Sequence, residues 1–283
     1  MKNIYYRIAL LLFLLAAPGI GNAENMCYPC ALDANNYSEL DLSLNNIQNN
    51  FESGKISEIE LRNAYRPFYT LTAKQAWYLQ EWAKSSPKSY PAHLALGIYL
   101  KKRGEYFRGK KSIAETLQFN LDKMEELDKL SKSELDASLS LTSKPYLSYF
   151  HLLQISTNFG NDKASEYYFT QGRKILPRNR LIRNRYFISL TPRWGGSYLR
   201  MKNFIADAKA KGADAEAIAE LEALTYDDLG QTALDNRDRD SAIKYFLLAM
   251  ERAKNTDRTF KEDSLTRPAL VLCSTQKYPE YCQ

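Results

Sequence analysis

The chain is poor in residues that interrupt helices. Only 12 Gly and 10 Pro occur in 283 residues, too few for many short strands joined by tight turns, so helices linked by short turns are expected. Strict alternation of apolar and polar residues, the pattern of a half-buried strand, is missing as well. Histidine is nearly absent: His93 and His151 are the only two, and neither has a Cys, Asp or Glu at metal-ligand spacing. No zinc-binding helix motif, phosphate loop or nucleophile elbow is present. Nothing pairs Glu125, Glu126, Asp128, Asp227 or Asp228, read as acids on solvated helix faces, as a general acid and base. No catalytic residue, metal or cofactor is therefore expected. What is there is 45% hydrophobic and 25% charged residues with 20 Tyr, an ordinary globular composition that excludes a disordered tail or a multi-span membrane protein.

The first 23 residues read as a secretory leader. Lys2 and Arg7 precede the apolar run Ile8 to Ala17, and Gly21-Asn22-Ala23 supplies small residues for cleavage before Glu24. That run is about half of what a membrane-spanning helix needs. The expected location is thus periplasmic or secreted, with no transmembrane span once the leader is removed. Glu24-Asn25-Met26 before Cys27 is no lipobox. Cys27 and Cys30 begin the exported part and Cys273 and Cys282 end it, and an even count in an oxidising compartment implies disulfides. Three pairings are possible. Cys27-Tyr28-Pro29-Cys30 also has dithiol spacing, but no strand precedes it, so structural staples are expected rather than redox catalysis.

Apolar residues recur at helical spacing. Ser38 to Ser53 forms one segment; Ser57 with Glu60 makes a capping box; Ser89 to Arg103 is closed by Gly104; Ser112 to Ser140 is broken near Ser131 and Ser133. The aromatic set Tyr65, Phe68, Tyr69, Trp77, Tyr78 and Trp82 reads as core. Charge is uneven along the chain. Lys163 to Lys202 carries ten basic residues and one acid, whereas Asn203 to Asp240 carries ten acids and four bases. The two segments either neutralise each other when helices stack or leave a basic face for an anionic envelope surface or an acidic protein. Nucleic acid is not an expected partner of an exported chain.

Tyr226, Leu229, Gly230, Ala233, Ala242, Phe246 and Ala249 stand at tetratricopeptide-repeat spacing. Small Gly230 and Ala242 let two helices approach, with Tyr226 and Phe246 filling the groove to the next pair. Leu152, Ile155, Ala164 and Tyr168 form a weaker copy, and Leu96, Gly97 and Leu100 half of another. Such units bury their apolar faces by stacking. The expected fold is therefore all-α, a TPR-like right-handed solenoid of antiparallel hairpins over 37–256, flanked by a Cys-containing segment, 24–36, and a tail with two Cys, 257–283. The run Pro192-Arg193-Trp194-Gly195-Gly196-Ser197-Tyr198, with Trp82, Pro87, Ser89 to Gly97, Arg103-Gly104, Met201 and Phe204, resembles a bacterial family of uncharacterised exported tetratricopeptide- or Sel1-like proteins. That resemblance implies an all-helical fold and no particular reaction or ligand.

The loop Arg193, Trp194, Gly195, Gly196 and Ser197 is the candidate interaction site. Two glycines permit unusual backbone angles, Ser197 is placed to cap the next helix, and Arg193 is placed beside Trp194. The rival reading makes it a lock in which Trp194 is a buried wedge between hairpins. The function expected from sequence is a non-catalytic interaction module binding a protein or peptide. An inhibitor or immunity-type protein and a cell-envelope enzyme are the alternatives.

Overall fold

The computed structural model describes residues 26–109 and 115–282. The expected leader, 1–23, lies outside them. Among the described residues there are fourteen α-helices and no strand, as the scarcity of Gly and Pro predicts. They are α1 (Tyr28–Asp33), α2 (Tyr37–Glu52), α3 (Glu58–Tyr65), α4 (Ala73–Ser85), α5 (Tyr90–Arg108), α6 (Gln118–Ser138) and α7 (Tyr146–Asn158). There follow α8 (Asp162–Ile175), α9 (Leu181–Ser189), α10 (Tyr198–Ala210), α11 (Ala215–Asp235), α12 (Arg239–Arg252), α13 (Arg258–Ser264) and α14 (Thr266–Ser274). None of these helices is long and apolar enough to cross a membrane.

Local chemistry sets the starts. Ser57 Oγ accepts from Glu60 N while Ser57 N donates to Glu60 Oε2 at 2.8 Å, and Thr72 with Gln75 repeats this capping box at α4. Hairpins α5/α6, α7/α8 and α11/α12 form the most extensive helix pairs, and small residues set their closeness. A methyl group at Gly97 would lie 2.7 Å from Leu135 Cγ, and one at Gly230 would lie 2.4 Å from Phe246 Cε1. The spacing that suggested repeats thus marks real close approaches.

One core cluster runs from Tyr28 to Ile182; a second surrounds Phe187, Met201, Leu221 and Phe260; a third joins Ala242 and Phe246 to Leu272. The segment 24–36 contributes buried Tyr28 and Leu32, and Tyr28 stacks on Phe68 at 5.8 Å. The tail contributes buried Phe260, Leu265 and Leu272. Cys27 bonds Cys30 and Cys273 bonds Cys282, leaving no free cysteine among the described residues.

Several local expectations are corrected. Gly104 does not stop α5; it packs on α6, 3.3 Å from Met124 O for an added methyl, and the helix ends at Gly109, whose φ of 71° suits glycine. Of the expected segment Ser112 to Ser140, residues 112–114 lie outside the described residues; α6 begins at Gln118 and is unbroken, because Ser131 Oγ donates across to Gly97 O at 2.6 Å instead of competing with its own helix. Trp77 is 56% exposed, since Ala76, Leu79 and Ala83 define the buried face of α4. Asp128, Asp227 and Asp228 are buried, not solvated. Tyr226 is accordingly only half-buried, and the two acids after it take the inward positions on α11.

Candidate functional site

The loop between α9 and α10 begins with a 3-10 turn at Pro192–Trp194. Gly195 has φ 83°, and Gly196 N donates to Thr191 O and Ser197 N to Leu190 O at 3.0 and 2.9 Å. A methyl on Gly196 would sit 2.0 Å from Leu190 O. Ser197 Oγ accepts from Arg200 N and caps α10 as expected. Arg193 Nε donates to Asp228 Oδ1 at 2.6 Å, and Tyr198 OH donates to Asp228 Oδ2 at 3.1 Å. Asp228 is 1% exposed on α11. The loop is therefore bolted to α11 through one buried carboxylate. Trp194 is half-buried and belongs to no core cluster, so it is not the fully buried wedge that the lock reading assumed.

The other arginines of the basic segment gather around α9. Glu58 of α3, buried, accepts from the backbone N–H groups of Arg180 and Leu181 and from Tyr146 OH. That one carboxylate fixes the start of α9 against α3 and α7, while burial pushes its own pKa up. Three cavities then open along this helix. The first is lined by Arg178, Arg180 and Arg183 and by Glu58, Asp214, Glu216, Glu220 and Asp257. Arg183 pairs with Glu220, Arg180 pairs with Asp257, and Arg180 also lies 3.6 Å from Glu220. This cleft is neutralised from within.

The second is a groove of about 420 Å³ between α8 and α11, floored by Phe169, Phe204, Pro177 and Ala208. Phe169 stacks on Tyr186 at 4.2 Å, which makes the floor rigid and aromatic. Its acids are already engaged: Asp207 pairs with Lys211 at 2.8 Å and Asp214 caps α11. Arg173 and Arg178 are exposed on its rim and have no carboxylate partner among the described residues; Arg173 lies over the Phe169 ring at 5.3 Å. This groove lies at the opposite ends of α9 and α10 from the loop 192–197.

The third cavity, about 280 Å³, is lined from α3, α5, α7, α9 and α13 and contains Arg185 and His151. Continuous with it through Lys102 is a polar network that opens to solvent at Glu105. Fully buried Lys101 donates to Glu105 Oε1 at 2.5 Å and Lys102 to Glu105 Oε2 at 2.7 Å. Burial brings Lys101 down to about 8, while its two lysine partners hold Glu105 well below the usual carboxylate range. Asp128 accepts from Asn158 at 3.0 Å, and burial raises its pKa to about 6. His93, by contrast, pairs with Glu134 at 2.7 Å, a hydrogen bond that raises its pKa. Among the described residues no group of three His, Cys, Asp or Glu is placed to hold a metal ion.

In comparisons with known proteins, no family model matches the chain, and neither a curated protein nor a solved structure matches it. The 192–197 loop stands out in the sequence, whereas the three cavities along α9 do not. The signal that bore on them was the basic run itself, read either as neutralised or as open to an anion; the fold divides that run between the two.

Proposed function

We propose that the protein is a non-catalytic interaction module, exported to the periplasm with its leader removed before Glu24. Its hairpins stack as a TPR-like right-handed solenoid of the kind found in the exported family it resembles. The groove between α8 and α11 binds an acidic, partly apolar segment of a peptide or protein. The observation that carries this reading is the pair of exposed arginines, Arg173 and Arg178, on the rim of an aromatic-floored groove, without carboxylate partners among the described residues. An apolar side chain of the partner covers Phe169 and Phe204, and flanking carboxylates meet the rim. Charge of this kind steers association and fixes register, so binding weakens as salt rises.

Fluorescent peptides of equal length test it: one with Asp and Glu flanking Leu and Phe, one with Lys in place of the acids, and one with Asn and Gln. The acidic peptide binds best, loses affinity with salt, and loses it again in an Arg173→Ser/Arg178→Ser variant. Equal binding of all three peptides, or of none, contradicts the proposal. Binding to anionic vesicles without peptide discrimination would move the function to the envelope surface.

A further inference from the structure

The 280 Å³ cavity shares no lining residue with the groove. It carries five cations, Arg62, Arg66, Lys102, Arg180 and Arg185, and one carboxylate, Asp263. Asp263 is already shared between Arg62 at 2.5 Å and Arg66 at 2.6 Å. Arg180 is directed to Asp257, and Lys102 to Glu105. Arg185 is left over. No hydrogen bond or ion pair to its guanidinium exists among the described residues, and burial works against its charge with only Glu105 favouring it.

Nitrogens without partners collect at the same walls. Arg62 Nε, His151 Nε2 and Arg185 Nε are all buried with no hydrogen-bond partner. His151 is 1% exposed, and its other nitrogen faces Gln154 Oε1 at 3.2 Å. A half-buried guanidinium and the idle Nε–H groups of Arg62 and Arg185 are costly unless an acceptor-only, negatively charged group answers them, and His151 Nε2, a lone pair while Nδ1 donates to Gln154, joins as a donor once the ring is protonated. Another cation is repelled there, and an apolar ligand leaves every donor unmet. A planar carboxylate offers two oxygens, whereas these nitrogens arrive from three helices, α3, α7 and α9, which suits a group with oxygens in several directions.

We propose that this cavity binds a tetrahedral oxyanion of the phosphate or sulfate type, with Arg185 as its principal partner and Arg62 and His151 completing the contact. The site goes beyond the peptide groove and stands or falls separately from it. Its pH dependence follows from the groups around His151. Lys101, Lys102 and Glu105 face it from α5, Arg185 from α9, Arg62 from α3, Arg66 from the 3-10 turn that follows α3, and Asp263 from α13. Burial, then Lys101 and Lys102, hold His151 well below its ordinary value, so it is neutral at pH 7 in the free protein. An arriving dianion favours the protonated ring, so binding takes up a proton and tightens as pH falls. Above about pH 8 Lys101 loses its charge as well, and binding weakens further.

Calorimetric titration of the full mature chain with sodium sulfate, a dianion throughout the neutral range, tests the site, with sodium acetate as the carboxylate control. One sulfate binds per chain, more tightly at pH 6 than at pH 8, and more tightly than acetate. Arg185→Met weakens it by about tenfold, the value of one charge-assisted hydrogen bond. His151→Gln flattens the pH dependence between 6 and 8, and Arg185→Lys retains part of the affinity. Circular dichroism checks that each variant is folded. Arg173→Ser/Arg178→Ser leaves sulfate binding unchanged, so failure here and failure of the groove are separable. No sulfate binding, equal binding in folded Arg185→Met, or preference for acetate overturns the proposal.

Discussion

Arg193 and Arg185 belong to the same basic segment, yet the fold treats them oppositely. Arg193 lies on an exposed loop and meets a carboxylate, Asp228, that is almost fully buried on α11. Arg185 lies inside the helix stack and meets none among the described residues. The exposed arginine is the structural one, because its partner's desolvation is repaired only by that bond and by Tyr198. The enclosed arginine is the one left for a ligand. Exposure is thus a poor guide to function here, and pairing is a better one. Arg180 and Arg183 fall on the structural side with Arg193; Arg173 and Arg178 fall on the open side with Arg185.

The strongest way to sharpen this contrast is to strike the loop's backbone. Gly196→Ala places a methyl 2.0 Å from a main-chain carbonyl that cannot move aside as a side chain tip does. It is expected to cost about 3 kcal/mol, lowering the melting temperature by several degrees, with groove and cavity ligands unaffected while the protein is folded. A melting curve matching the parent protein would break the lock. Asp228→Ala comes next, at about 2 kcal/mol by urea denaturation, since it removes an acceptor shared by Arg193 and Tyr198. Arg193 is 35% exposed, so the coupling in a double-mutant cycle with Arg193→Ala is discounted to about 1 kcal/mol. A coupling of zero would place Arg193 among the free arginines.

Trp194→Ala is expected to cost about 1 kcal/mol, because a half-buried ring loses little on truncation. A loss of about 4 kcal/mol would restore the wedge. The two histidines give a pH signature of similar size. His151 is depressed in the fold, so below about 6.5, its unfolded value, the unfolded chain binds the proton first and stability falls. His93 is raised by Glu134, so its stabilisation is present below 6.5 and is lost as pH rises through the folded value. Denaturation between pH 5.5 and 6.5, where the His93 contribution is already in place, should show the His151 loss, at up to about 1 kcal/mol per pH unit for a fully buried group, and the His93 loss should appear only above 6.5. His151→Gln removes that loss on acidification; an unchanged slope would show that His151 is not the group responsible.

Much of the helical fold was legible in the sequence, because period and breakers are local. The Ser57 box and the Gly97 and Gly230 contacts depend on neighbours within one or two helices. The buried acids were not legible, because Asp227 needs Arg267 and Asp228 needs Arg193, each at least 35 positions away. Reading them as solvated followed from treating charge as a surface property, which holds only where no distant partner exists. The cavity was hidden for the same reason. Its walls come from five helices spread between Arg62 and Ser264, and nothing in the spacing of a single stretch reveals which arginine those helices leave unpaired.

The central claim is that pairing divides the arginines into those that hold the fold and those that hold a partner. It is tested most directly by measuring acidic-peptide affinity and melting temperature together in two variants, Arg173→Ser/Arg178→Ser and Arg193→Ala. The first variant is expected to lose about tenfold in affinity at an unchanged melting temperature, while the second keeps its affinity and melts earlier. The reverse pattern, peptide binding lost with Arg193 and stability lost with Arg173 and Arg178, would contradict it.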